Sequence, residues 1–162
     1  MKKNILNKCR IILDNSILTA CSTLLIALVV LVTWQVFSRY VLNDPSSFTD
    51  ELSRYFMIWL GFLGACYLFG KRAHLAITLM LDTLDGYKKN ILLVVINLTT
   101  LTFVNLAMLR GGWLLVNKTL HQFSPALQIP MGYIYFILPL SAVLITVYIF
   151  LNFLDALTKD EL

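Results

Sequence analysis

The fold class predicted by the sequence is an all-α integral membrane protein, and three observations predict it. Hydrophobic residues make up 59% of the 162, charged ones only 14%, and mean hydropathy is +0.78. A soluble domain is about 45–50% apolar and about 25% charged. The apolar residues gather into four runs, and a helix needs roughly 20 of them to cross about 30 Å of hydrocarbon. No segment alternates polar and apolar residues over about ten positions, so a β-barrel is disfavoured.

Taken in order, the amino end is a basic segment before an apolar one. Ile5, Leu6, Cys9, Ile12 and Leu13 share one helical face, with Lys8 and Arg10 off it. That pattern predicts a surface helix feeding the first span. Leu18-Thr19-Ala20-Cys21 looks like a lipoprotein cleavage box. The apolar run nevertheless continues to Phe37, and Asp14 and Asn15 break what precedes it. A retained first span over 17–37 is expected rather than a cleaved signal. The second span, 52–70, is short in apolar residues and borrows the charged stretch before it as its first turns. Gly61, Gly64 and Ala65 give it a small-residue face suited to close helix approach. Next, His74, Thr78, Asp82 and Asp85 recur on one polar stripe, which predicts an interfacial amphipathic helix over 74–86. The third span covers 91–116, and the fourth covers 132–153 with a kink at Pro139. Gln35, Asn97, Thr100, Asn105 and Asn152 are read as interhelical hydrogen-bond partners. Trp34, Tyr40, Trp59 and Trp113 are read as interfacial belt residues.

Charge sets the expected orientation. Nine of the thirteen basic residues lie before the first span, between the second and third, or after the fourth. Basic residues favour cytoplasmic loops. Both termini are therefore expected in the cytoplasm, with loops 38–53 and 117–133 outside.

The charges at the mouth of the second span raise the main question. Asp50, Glu51 and Arg54 lie within five residues, and Tyr55 to Phe69 carry none. Ser47-Phe48-Thr49-Asp50 fits a loose capping box. Both acids fall where the helix dipole favours negative charge, and Arg54 can pair with either on one helix face. The plain reading is a charged helix start; the functional one is a docking or hinge point. Arg110, inside the third apolar run, either snorkels to headgroups or pairs with a carboxylate at its level, and only Asp50 and Glu51 qualify. Lys118 and His121 in the last outer loop are possible contacts for a periplasmic protein.

What is missing narrows the function. No Asp or Glu stands near the middle of a span, where a self-sufficient ion-coupled carrier usually keeps one. The only histidines, His74 and His121, fall on opposite sides and cannot share a haem or metal. The three cysteines have no paired spacing. No phosphate loop and no nucleophile with a nearby base appear. The expectation is no catalytic residue, no cofactor, no metal site, no nucleic-acid partner and no enzyme, but a packing partner in lipid.

The block FTDELSRYFMIWLGFLGACYLF, with KRAHLAITLMLDTL after it and SRYVLN before it, resembles the small membrane subunit of tripartite ATP-independent periplasmic (TRAP) transporters. Phe48, Asp50, Glu51, Leu52, Arg54, Tyr55, Trp59 and Phe62 to Ala65 carry the resemblance. Phe48 stands where that family commonly has tryptophan, and Asp50 where it has glutamate. The resemblance implies a scaffold subunit in the bacterial inner membrane. Its implied partners are a large multi-span subunit, which holds the sodium and substrate sites, and a periplasmic binding protein. Together they would import an organic acid on a sodium gradient, and the resemblance is to the sialic-acid branch. Asp50, Glu51, Arg54, Arg110, Gly61 and Gly64 are then the structural or partner-facing residues. The alternative is a four-helix anchor subunit of a respiratory membrane complex.

Overall fold

The structure is a computed structural model and describes residues 2–71 and 87–157. Its elements are α1 (Lys2–Tyr40), α2 (Ser47–Gly70), α3 (Tyr87–Phe103), a π-helical stretch (Val104–Gly111), α4 (Gly112–Thr119), α5 (Met131–Tyr135) and α6 (Ile137–Leu157). Among the described residues, four stretches are long and apolar enough to cross a membrane: Asn7–Tyr40, Ser47–Gly70, Val94–Thr119 and Met131–Phe153. The all-α, four-span expectation therefore holds. The interfacial helix expected at 74–86 lies outside the described residues.

The first departure is at the amino end. No separate surface helix precedes the first span, because α1 runs unbroken for 39 residues. At about 1.5 Å per residue that is about 58 Å, well beyond the thickness of the hydrocarbon. Asp14 and Asn15 interrupt the apolar pattern without interrupting the helix, since neither removes a backbone donor.

The four spans form a row rather than a closed bundle. α1 packs on α2, α2 on α6, and α6 on the π-helical stretch. The spatial order of the spans is thus first, second, fourth, third, with two antiparallel hairpins joined where α2 lies beside α6. The shared core comprises Ile17, Leu63, Cys66, Val104, Ile137, Ala142, Ile145 and Tyr148. The flanks stay open: Ile26 is 67% exposed, Val94 66% and Leu98 64%. Such faces are stable only against lipid or another membrane protein.

Two irregular points interrupt the second hairpin. Val104–Gly111 is wound as a π-helix, a form that occurs mostly as short local insertions. In the fourth span the helix breaks at Phe136, between α5 and α6. Pro139 accounts for this, having no N–H for the Tyr135 carbonyl one turn back. These points touch. A Cβ on Gly112 would fall 2.9 Å from Leu138 Cβ and 3.0 Å from Pro139 Cδ, so only glycine admits the approach.

Candidate functional site

The end of the molecule carrying loops 41–46 and 120–130 is the loop end; the other carries the chain termini. Each end is organised around one buried carboxylate.

At the loop end, α2 begins after Ser46, whose side chain makes no capping bond. The expected capping box does not form. Thr49 instead donates its hydroxyl back to the Ser46 carbonyl at 3.0 Å. Asp50 and Glu51, adjacent in sequence, point about 100° apart around the helix and do different work. Asp50 faces α1 and solvent. It accepts Gln35 Nε2 at 3.0 Å and Arg54 at 3.0 Å, and Arg54 is well exposed. Glu51 faces inward and is 9% exposed. One carboxylate oxygen accepts the Tyr55 hydroxyl from the next turn of α2. The other accepts the backbone N–H groups of Ala126 at 2.7 Å and Leu127 at 3.1 Å. A buried carboxylate is costly unless its lone pairs are filled. Here neutral donors fill them, and two come from a loop 75 and 76 residues away.

That loop is built to present those amides. Ser124, buried, donates its N–H to the Ile129 carbonyl at 3.0 Å and accepts the Ile129 N–H on its hydroxyl at 3.2 Å. Gln128 donates to the Ser124 carbonyl, and Met131 to the Gln122 carbonyl at 2.8 Å. Gln128 is held at φ 55°, a left-handed conformation costing a non-glycine residue about 1–2 kcal/mol. Surrounding bonds offset that cost. Below the loop, α4 and α5 close tightly: a Cβ on Gly132 would meet Leu120 Cδ2 at 2.8 Å. Trp59 is not only a belt residue, since its indole N–H donates to the Ile134 carbonyl at 3.1 Å, just before the helix break.

At the terminal end, Asp14 is 5% exposed. It accepts the Tyr148 hydroxyl at 2.7 Å and pairs with Lys71 at 2.7 Å. This ties α1 to α6 and to the end of α2. Arg10 adds bonds to the Gly70 carbonyl at 2.8 Å and to the Asn152 side chain. The hydrogen bond to Asp14 holds the Lys71 ammonium pKa above its usual value. Gly70 has no side chain because Tyr148 occupies the space: a Cβ there would fall 2.4 Å from Tyr148 Cε1.

The sequence reading missed this terminal group. Asp14 reads as an interruption and Lys71 as an orientation signal. The available sign was an acid and an asparagine inside otherwise apolar helical stretches, where a polar group must find a partner. Among the expected interhelical partners, Gln35 and Asn152 do bridge helices. Asn105 bonds back to the Leu101 carbonyl of its own helix. Arg110 is exposed at the end of the π-helical stretch. Glu51 and Asp50 are occupied by the partners above, and neither accepts a bond from it, so the expected pairing is not made. Gly61 and Gly64 have nothing within 4 Å of where a Cβ would stand, so among the described residues no helix uses that face. Lys118 and His121 are exposed beside the clasped loop.

Both buried acids join structural elements, and among the described residues no group of three His, Cys, Asp or Glu could hold a metal ion. This is the arrangement of a helical membrane subunit that packs. The family model described as "Tripartite ATP-independent periplasmic transporters, DctQ component" matches residues 28–159, and the chain belongs to that family. It is a transporter permease component and not an enzyme, which sets aside the respiratory-anchor alternative. A TRAP transporter small permease protein of Haemophilus influenzae is 31% identical over 126 residues, 78% of each chain. The isethionate TRAP transporter permease protein DctMQ of Oleidesulfovibrio alaskensis is 26% identical over 124 residues, 72% of this chain but only 20% of that one. The sialic acid TRAP transporter small permease protein SiaQ of Vibrio cholerae is 34% identical over 61 residues, 38% of this chain and 35% of that one.

Proposed function

We propose that this chain is the static scaffold subunit of a sodium-coupled TRAP transporter in the bacterial inner membrane. It packs beside a large multi-span subunit that binds sodium and substrate. A periplasmic binding protein delivers an organic acid, sialic acid in this reading, to the loop end, and both termini lie in the cytoplasm. The observation that carries the reading is the match to a fifth of a much longer permease polypeptide. There a unit like this one is covalently part of a larger membrane protein, as a packing subunit would be. The open apolar flanks and the unoccupied Gly61 and Gly64 face supply surface for such a partner. Both buried carboxylates are consumed by structural bonds, which leaves no buried carboxylate among the described residues to couple an ion gradient to transport. Exposed Lys118 and His121 lie where a delivered protein would meet the loop end.

Gentle solubilisation with a tag on this chain should bring down a large membrane subunit. A strain lacking only this chain should lose sodium-dependent sialic acid uptake. Recovery of the chain alone, or unaffected uptake in that strain, removes the scaffold reading. Loss of uptake of a different carboxylate, with sialic acid uptake intact, keeps the scaffold and changes the substrate.

A further inference from the structure

The hairpin Gly112–Tyr135, comprising α4, the loop and α5, is a distinct unit. Its two roots are the irregular points already described: the π-to-α change at Gly111–Gly112 and the break at Phe136 before Pro139. Both lie at one level and touch each other through Gly112. At each root the regular α-helical ladder is disturbed, by the passage from π to α winding at one and by the missing Pro139 N–H at the other, and such points absorb rotation more readily than undisturbed α-helix. Beyond the roots, α2 holds the hairpin by few polar bonds. Trp59 grips the Ile134 carbonyl near the root. Tyr55, with Met131 Sδ 3.4 Å from its hydroxyl, lies further out. Glu51 alone reaches the tip, through the amides of Ala126 and Leu127.

We propose that Glu51 is a positioning residue: a latch that fixes the angle of this hinged hairpin against α2 and so sets the pose of the loop. The carboxylate suits that task. It is acceptor-only, it offers two oxygens, and the geometry divides them, one to its own helix and one to the loop. The latch also accounts for the four-residue spacing of Glu51 and Tyr55. Tyr55, one turn after Glu51, holds the carboxylate in the rotamer that meets the loop amides. Resting on the scaffold reading, the latched loop is the surface that receives the periplasmic binding protein. A loosened hairpin would then weaken capture of that protein more than it slows the steps that follow.

The test uses the full chain in lipid nanodiscs and compares wild type, Glu51→Ala and Glu51→Gln by amide hydrogen exchange. In Glu51→Ala, exchange at Ala126 and Leu127 should speed up roughly tenfold or more. The change should extend through residues 120–131 and leave α1 and the body of α6 as they were. Glu51→Gln, which keeps one acceptor oxygen, should fall between. Unchanged exchange in 120–131, or equal acceleration along the whole chain, overturns the latch. In vesicles holding the whole transporter, Glu51→Ala should raise the binding-protein concentration giving half-maximal uptake several-fold, more than it lowers the saturated rate, with Glu51→Gln partly restoring it. A loss confined to the saturated rate overturns the docking role. Uptake that does not depend on this chain at all defeats the scaffold reading, while the exchange result still decides the latch.

Discussion

At the loop end Glu51 meets Tyr55, and at the terminal end Asp14 meets Tyr148. The chemistry is the same pair, a buried carboxylate accepting a phenol, but the remaining partners differ. Glu51 completes its shell with two backbone amides and no cation. Asp14 completes its shell with the ammonium of Lys71, which is 45% exposed. The tyrosines differ too. Tyr55 lies one turn along the same helix and orients the acid, whereas Tyr148 comes from a different span and is itself held by the acid. The loop end therefore fastens a loop to a helix, and the terminal end fastens three helices to each other. A carboxylate satisfied by amides fixes a local pose; one satisfied by side chains of other spans fixes the bundle.

The largest break should come from Asp14→Ala. It leaves the fully buried Tyr148 hydroxyl without its partner and Lys71 unpaired, and it should cost about 2–4 kcal/mol. Thermal unfolding of the detergent-solubilised chain measures this, and a cost no larger than that of an exposed substitution would place the bundle's junction elsewhere. Gly70→Ala comes next, at about 1–3 kcal/mol. Its new methyl would overlap a tyrosine ring that Asp14 holds in place. In a Tyr148→Ala background Gly70→Ala should cost far less than in the parent chain, which would show that the ring is the obstacle.

The terminal end should also respond to alkali through Lys71. Its hydrogen bond to Asp14 raises the Lys71 pKa above 10.5. The stabilisation it supplies is fully present below the unfolded pKa and declines as pH rises through the higher folded value. A melting-temperature profile between pH 9 and 12 should show this decline in the parent chain and less of it in Lys71→Met. The smallest effect is expected from Arg54→Ala. Its pair with Asp50 is exposed, and such pairs contribute about 0–1 kcal/mol. A larger loss would mean that Arg54 serves a partner protein.

Much of the architecture was legible beforehand. Composition and run length predict four helical spans, because hydrocarbon demands an apolar stretch of set length whatever the fold. The charged start of α2 and the break near Pro139 are also local matters of dipole and missing amide. Gln35 and Asn152 as bridges follow from the rule that a polar group in lipid seeks a partner. What could not be read was which partner. Asp50 and Glu51 are equivalent in the sequence, and only the rotation of α2 against the loop separates an exposed ion pair from a buried latch. Glycine shows the same limit. Gly61 and Gly64 carry the recognisable small-residue spacing yet have no described residue within 4 Å of where a Cβ would stand, while Gly70, Gly112 and Gly132, with no such spacing, are the ones a Cβ would disrupt.

The sequence by itself determined the class, the number of spans and the family, since these depend on hydropathy, length and a local motif. Tertiary structure decided the roles of the individual charged and small residues. Burial and hydrogen bonding are set by what lies across the space between helices, and partners 75 and 134 residues apart in the chain leave no local trace of each other.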